Sequence, residues 1–209
     1  LATSTPIVVH FIPRPATGAV AFRASGSPSE VQAGDHFPGP ITIEAIDAQG
    51  NVAPNYTGSI YFFTSDPASS LNAFFNEETF EFHFVFATFT AANHGVIHVD
   101  FNQLLSGAPP FLTAGPQVIA MADFNVPARD QGLISVQVLA GPPALLAFSP
   151  ASTSQVFQDG EVPPAPAEIS VVDAFGNSVS GIPVRLEIFE DGVLVSTQDA
   201  VTAGPARAV

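Results

Sequence analysis

The sequence predicts an all-β chain: two tandem copies of one sandwich module, the second incomplete within the 209 residues. Three observations lead there. Short apolar/polar alternations recur between turn residues, and no long window carries the 3.6-residue apolar period of a helix. Twenty prolines and 16 glycines punctuate the whole chain. A shift of 126 residues lays one turn motif and its flanks on another.

The elements follow in order. An apolar run at 7–12 is bounded by Pro6 and Pro13. Strands are then expected around Phe22, over Ile41, Ile43 and Ala45, and over Ile60 and Phe62. The sharpest alternation is 80–86, which as one strand puts Phe80, Phe82, Phe84 and Phe86 on one face and Glu81 and His83 on the other. Ile97, Val99 and Phe101 share a face, Ile119 and Met121 follow, and Ile134, Val136 and Val138 alternate with Ser135 and Gln137. That makes seven or eight strands before Gly141-Pro142-Pro143, which reads as an interdomain junction because proline supplies no ladder donor. Beyond it come strands at Leu145, Leu146 and Phe148, at Ile169 and Val171, at Val184, Leu186 and Ile188, and at 193–195 after the turn Glu190-Asp191-Gly192.

Composition removes whole classes of function. There is no cysteine, hence no disulfide, thiolate metal site or Cys nucleophile. All five bases are arginine, so Schiff-base, P-loop and Lys–Asn crosslink chemistry is absent. A formal net charge of −14 argues against nucleic acid and against an anionic membrane surface. No apolar run reaches the length of a membrane-spanning helix. No basic stretch followed by an apolar one opens the sequence, so the chain is expected to be a mature or excised piece of a longer product. Only 11% of residues are charged while 46% are hydrophobic, which excludes a disordered composition and suits a protein that buries surface against neighbours.

Under the 126-residue shift, Phe22 falls on Phe148, Gly34 on Gly160, Pro38 and Pro40 on Pro164 and Pro166, and Ile43 on Ile169. Asp47-Ala48-Gln49-Gly50-Asn51 falls on Asp173-Ala174-Phe175-Gly176-Asn177. The chain therefore divides into an N-terminal extended segment (1–16), a first copy (17–141) and a partial second copy (142–209). The second copy ends after its third or fourth strand, without counterparts of the strands around Ile97, Ile119 and Ile134. A half-sandwich leaves an apolar face and a sheet edge in water. Three arrangements would cover it: further modules of a longer array, residues 5–13 of the same chain folding back, or residues 5–13 of another subunit adding a strand.

The order of motifs in the first copy resembles bacterial immunoglobulin-like tandem repeats, the invasin/intimin-type modules of large surface exoproteins. It runs Ala33-Gly34-Asp35, Ile41-Thr42-Ile43-Glu44-Ala45, Asp47-Ala48-Gln49-Gly50-Asn51, Asn55-Tyr56-Thr57-Gly58, Thr64-Ser65-Asp66-Pro67 and Thr113-Ala114-Gly115-Pro116. Val172-Asp173-Ala174-Phe175-Gly176-Asn177 continues it in the second copy. The resemblance implies two tandem immunoglobulin-like β-sandwiches with a structural or adhesive role and no catalytic residues. Against it, 77–86 and 103–112 read as insertions, which are natural contact surfaces.

Specific residues remain to be weighed. Asp47, Asn51, Asp173 and Asn177 offer Ca²⁺-type oxygens, but one loop supplies too few ligands, and a tight turn uses the same residues. His94, His98 and Asp100 share parity without a convergent further ligand, so they read as polar-face residues and no metal is assigned. Asn55-Tyr56-Thr57 is a glycosylation sequon at Asn55. No nucleophile, zinc or dinucleotide motif occurs, and neighbouring acids such as Glu77/Glu78 point to opposite strand faces, so no catalytic or cofactor-binding residue is assigned.

The expectation is a non-enzymatic structural subunit of an extracellular or cell-surface filament, a homopolymer joined head-to-tail by strand complementation. Ile7, Val9 and Phe11 of the donor segment and Phe80, Phe82, Phe84 and Phe86 are the interface candidates. The Phe face has an equal claim as core of the first copy. The alternative is an excised adhesin, spacer or ligand-binding repeat region of a larger exoprotein, with a glycan or host-surface ligand.

Overall fold

A computed structural model describes residues 21–72, 74–76, 81–124, 132–148 and 169–203. It is nearly all β, with several sheets in a sandwich arrangement. The first copy contains β1 (Ala21–Ser25), β2 (Glu30–Gln32), β3 (Ile41–Ile46), β4 (Gly58–Thr64), β5 (Phe74–Asn76), β6 (Glu81–His83), β7 (Phe86–Phe89), β8 (Val96–Val99), a short helix α1 (Phe101–Leu104), β9 (Gly115–Asp123) and β10 (Gly132–Leu139). One sheet runs β1-β3-β8 and the other β2-β10-β9-β4-β7; β5 and β6 form a separate hairpin. Every pairing is antiparallel except β2 with β10.

Period-two patterning places the core between the two sheets. Ile41, Ile43 and Ala45 of β3 point inward, as do Ile60 and Phe62 of β4, Ile119 and Met121 of β9, and Ile134, Val136 and Val138 of β10. Two aromatic groups fill the ends. Phe62, Phe101, Phe37 and Phe111 form a chain with centroids 5.1, 5.6 and 6.0 Å apart. Phe22, Tyr56 and Phe89 form a triad at 5.1–5.9 Å.

Two expectations for the first copy are corrected. Residues 103–112 are not given over to a contact surface: beside Phe101 of α1, the turn after the helix delivers Leu105 and Phe111 to the core. Asp100 starts that helix by accepting from the Asn102 and Gln103 N–H groups. Nor is 80–86 one strand. β6 ends at His83 and pairs with β5, whereas β7 begins at Phe86 and pairs with β4. Val85, Ala87 and Phe89 pack on the core, so Phe84 and Phe86 are exposed and do not fill it.

Two buried polar groups pin the connections. Asp66 follows β4 with no exposed surface. Its Oδ2 accepts from the Leu112 and Thr113 N–H groups at 2.6 and 2.8 Å, and its Oδ1 from the Thr113 hydroxyl at 2.7 Å and the Ala68 N–H at 3.0 Å. Burial alone would raise this carboxyl, but the Thr113, Leu112 and Ala68 donors outweigh it and hold it below the ordinary carboxylate range. The Tyr56 hydroxyl donates to Asp123 at 2.6 Å, and burial with that carboxylate pushes its ionisation up.

The second copy comprises β11 (Leu145–Phe148) paired with β12 (Ile169–Val172), and β13 (Pro183–Glu190) paired with β14 (Val193–Val201). The Asp191-Gly192 turn joins the latter pair with both residues at positive φ. The repeat is visible as matching bridges, Ile46 with Val52 and Val172 with Ser178. One pairing departs from it. Phe22 lies opposite Ala45, which the 126-residue shift would translate to Phe148 opposite Val171, whereas Leu146 occupies that place. The slip is two residues, so each side chain keeps its face.

Replacing the buried Asp66 with Ala removes the acceptor of the Leu112, Thr113 and Ala68 N–H groups and is expected to cost about 2 kcal/mol in urea unfolding of the first copy. The pH dependence has a defined sign. A carboxyl lowered in the folded state stabilises fully above its unfolded value and loses that stabilisation as pH falls through the folded value. The acid limb of stability below about pH 4 is therefore expected to flatten in Asp66→Ala.

Candidate assembly surfaces

The Asp-Ala-x-Gly-Asn turns explain themselves locally. In each, Gly50 or Gly176 adopts positive φ, and the Asp carboxylate folds over the turn. Asp47 Oδ1 accepts from the Gln49 and Asn51 N–H groups at 2.9 Å. Asp173 Oδ1 accepts from those of Phe175 and Asn177 at 2.9 and 2.8 Å. The four sequence-derived Ca²⁺ candidates thus lie two to each turn, with these carboxylate oxygens occupied by N–H donors.

The two turns differ in what they touch. The second is seated on the end of the first copy. Asn177 accepts from the Ala114 N–H and donates to the Leu112 carbonyl, both at 2.8 Å, and Asp173 Oδ2 accepts from the Gly141 N–H at 2.7 Å. The Phe175 ring lies against Gly34, where any side chain would collide with it. Asp173 is buried, which alone would raise its carboxyl. The Asn177 side chain and the Gly141, Asn177 and Phe175 N–H groups outweigh that and hold it below the ordinary range. Gly34, 112–114 and Gly141 belong to three loops at one end of the sandwich, knitted by the bond from the Gly34 N–H to the Phe111 carbonyl. The sequence marked Gly141 as a junction and both turns as special. It did not reveal that one turn is a joint between the copies.

The second surface is apolar and lies on the outer face of the five-stranded sheet. Tyr61 and Phe63 of β4 project there, with ring centroids 4.7 Å apart, and Tyr61 meets Phe84 and Phe124 at 6.1 Å. Phe86 lies opposite Tyr61 across the β4–β7 ladder, and Phe84, Phe86, Phe124 and Leu133 are all exposed. This surface brings together Phe84 and Phe86 of the interface candidates. Phe82 is in β6, with its side chain outside the described residues, as are Phe80, Ile7, Val9 and Phe11. Tyr61, Phe63 and Phe124 were missed because nothing in their local pattern says which face of β4 is outward.

The third surface is the β13–β14 ribbon. Along β13, Val184 and Leu186 are half-buried and alternate with exposed Pro183, Arg185 and Glu187. Arg185 pairs bidentately with Asp199 on the polar face. On the other face Val184, Leu186 and Ala200, with Ile169 of β12, line an open cleft of about 200 Å³. Toward the turn, Ile188, Phe189, Val193 and Leu194 are 48–65% exposed, far from a core environment. Among the described residues β14 is the only strand paired with β13.

The remaining candidates are dispersed. Asn55 is exposed in the turn before β4. His94 is exposed at positive φ, the His98 ring bonds the Thr42 hydroxyl at 3.0 Å, and Asp100 caps α1, so the three do not converge. Among the described residues no group of three metal-ligating side chains gathers.

No protein-family model and no curated protein matches this chain. Among solved structures it is similar to InvD of Yersinia pseudotuberculosis, at 17% identity and a TM-score of 0.41, over 92% of this chain and 54% of that one. The chain thus spans about half the length of that neighbour.

Asn177→Ala removes the acceptor of the Ala114 N–H, and Asp173→Ala that of the Gly141 N–H. Each variant is expected to raise hydrogen exchange at its own partner amide at least tenfold while leaving the β3 amides protected. Because the Asp173 carboxyl is lowered by folding, wild-type protection at Gly141, corrected for intrinsic exchange, should hold above about pH 4 and fall below it.

Proposed function

We propose that the chain is a non-enzymatic structural subunit of an extracellular or cell-surface filament, built from immunoglobulin-like modules and joined head-to-tail by strand complementation with copies of itself. One observation carries this reading: the second copy presents a paired but uncovered ribbon, with Ile188, Phe189, Val193 and Leu194 largely in water. A lone two-stranded ribbon is marginal in water, and an added strand supplies both ladder bonds and an apolar cover. Residues 5–13, with Ile7, Val9 and Phe11 at alternate positions and no charged side chain except His10 when protonated, have the composition of such a strand. Head-to-tail contacts that do not close on themselves give filaments. The order of motifs resembling bacterial immunoglobulin-like repeats, and the absence of cysteine and lysine, support a scaffold rather than an enzyme.

A second reading, an adhesin, spacer or ligand-binding region of a larger exoprotein, is favoured by the exposed ring cluster around Tyr61. Such a face suits a glycan or host-surface partner.

Negative-stain electron microscopy with light scattering separates the two. The filament reading expects polymers from the full chain and their loss on deletion of residues 1–14. Monodisperse monomers from both chains would reject it in favour of the second reading.

A further inference from the structure

Resting on the filament reading, we infer that the acceptor is the edge of β13 that no strand among the described residues occupies, and that residues 5–13 of a second copy lie there, antiparallel to β13, in the place that β9 holds in the first copy. The chain carries its own template for what is missing. In the first copy β4 sits between two neighbours, β7 on one side and β9 on the other. The same 126-residue shift carries Ile60 and Phe62 of β4 onto Leu186 and Ile188 of β13. In the second copy β14 follows β13 through a tight turn and occupies one side, leaving the other side without a strand among the described residues.

The template also fixes what the added strand must look like. β9 runs antiparallel to β4, with Met121 opposite Phe62 and Ile119 opposite Thr64. Ile119 and Met121, two residues apart, are fully buried and close the core over Ile60 and Phe62. A replacement therefore needs bulky apolar side chains at alternate positions and an extended backbone. Ile7, Val9 and Phe11 provide that alternation, and Pro6 and Pro13 lie outside the stretch whose N–H groups would enter the ladder. The inward residues that would receive them are Val184, Leu186 and Ile188, which line or adjoin the cleft over Ile169. The opposite face of the ribbon carries the exposed Arg185–Asp199 pair, so the apolar row of an added strand matches the face of Val184 and Leu186. The β14 edge is the poorer acceptor, because its residues on the inward face include Ser196 and Gln198, opposite Ile188 and Leu186.

The absence of native cysteine makes disulfide trapping free of background. Val9→Cys protein is mixed under oxidising conditions with Leu186→Cys, Ile188→Cys or Gln198→Cys protein, and linked pairs are identified by peptide mass. The inference expects linkage to the β13 positions at least tenfold above linkage to Gln198→Cys. In parallel, hydrogen exchange on the wild-type chain, which needs no variant to fold, should show β13 amides gaining protection on assembly while β14 amides change little. Filaments that trap Gln198→Cys, or that protect β14 and leave β13 unchanged, would overturn the β13 acceptor while leaving the filament reading intact. A chain that stays monomeric would overturn both.

Discussion

A β-sheet is stable only when its apolar face is covered and its edges are paired or blunted, and the two copies are one experiment on that constraint. β4 and β13 have comparable alternation. In the first copy β9 lies beside β4 and the β1-β3-β8 sheet lies over it, so Ile60 and Phe62 are almost wholly buried. In the second copy the corresponding face meets, among the described residues, Ile169 and the end of β14, and burial falls away along β13 until Ile188 is about half exposed. The side chains are of similar kind. What differs among the described residues is the number of strands beside them, so the exposure of β13 follows from its neighbours rather than from a polar design.

Polar groups do the positioning that the apolar core cannot. Dispersion and hydrophobic burial are non-directional and would tolerate the second copy at many angles. The Asp173–Asn177 turn instead spends its directional bonds on three particular groups of the first copy, the Gly141 N–H, the Leu112 carbonyl and the Ala114 N–H. A buried carboxylate there is tolerable because N–H donors surround it. The first copy's turn has the same internal bonds, but Gln49 stands where Phe175 does, and the sequence counterpart of Gly141 is Pro15, which has no N–H to give. One motif therefore serves as a plain turn in one copy and as a joint in the other, and the difference lies in its surroundings.

This is also why the sequence was legible in some places and opaque in others. Alternation located β3, β9 and β10 because each has one face in the core, and β13 because its apolar and polar side chains alternate in the same way; period two is local information. The repeat was legible because glycines at positive φ and their Asp and Asn partners tolerate few replacements. The Phe run at 80–86 misled because alternation reports that two faces differ, not which one is inside. Here the inward face is the one with Val85, Ala87 and Phe89, and Phe84 and Phe86 stand on the other. Residues 103–112 misled for another reason: a four-residue helix and the turn after it show no period, yet Leu105 and Phe111 are core. The joint could not be read at all, since it depends on loops far apart in the chain.

Charge constrains how such a molecule can meet its copies. A chain with a formal charge of −14 repels itself, and only five arginines are present to offset that at an interface. Two of them, Arg23 and Arg185, are already paired across strands with Glu44 and Asp199. Association through complementary charge is therefore poorly served by this composition. Main-chain ladder bonds need no counter-charge, and apolar cover carries none. Both are what the β13 edge offers and what an uncharged extended segment accepts. Mutual repulsion then falls on the rest of the surface, where salt screens it, so the composition favours contacts that are narrow, apolar and made largely by backbone.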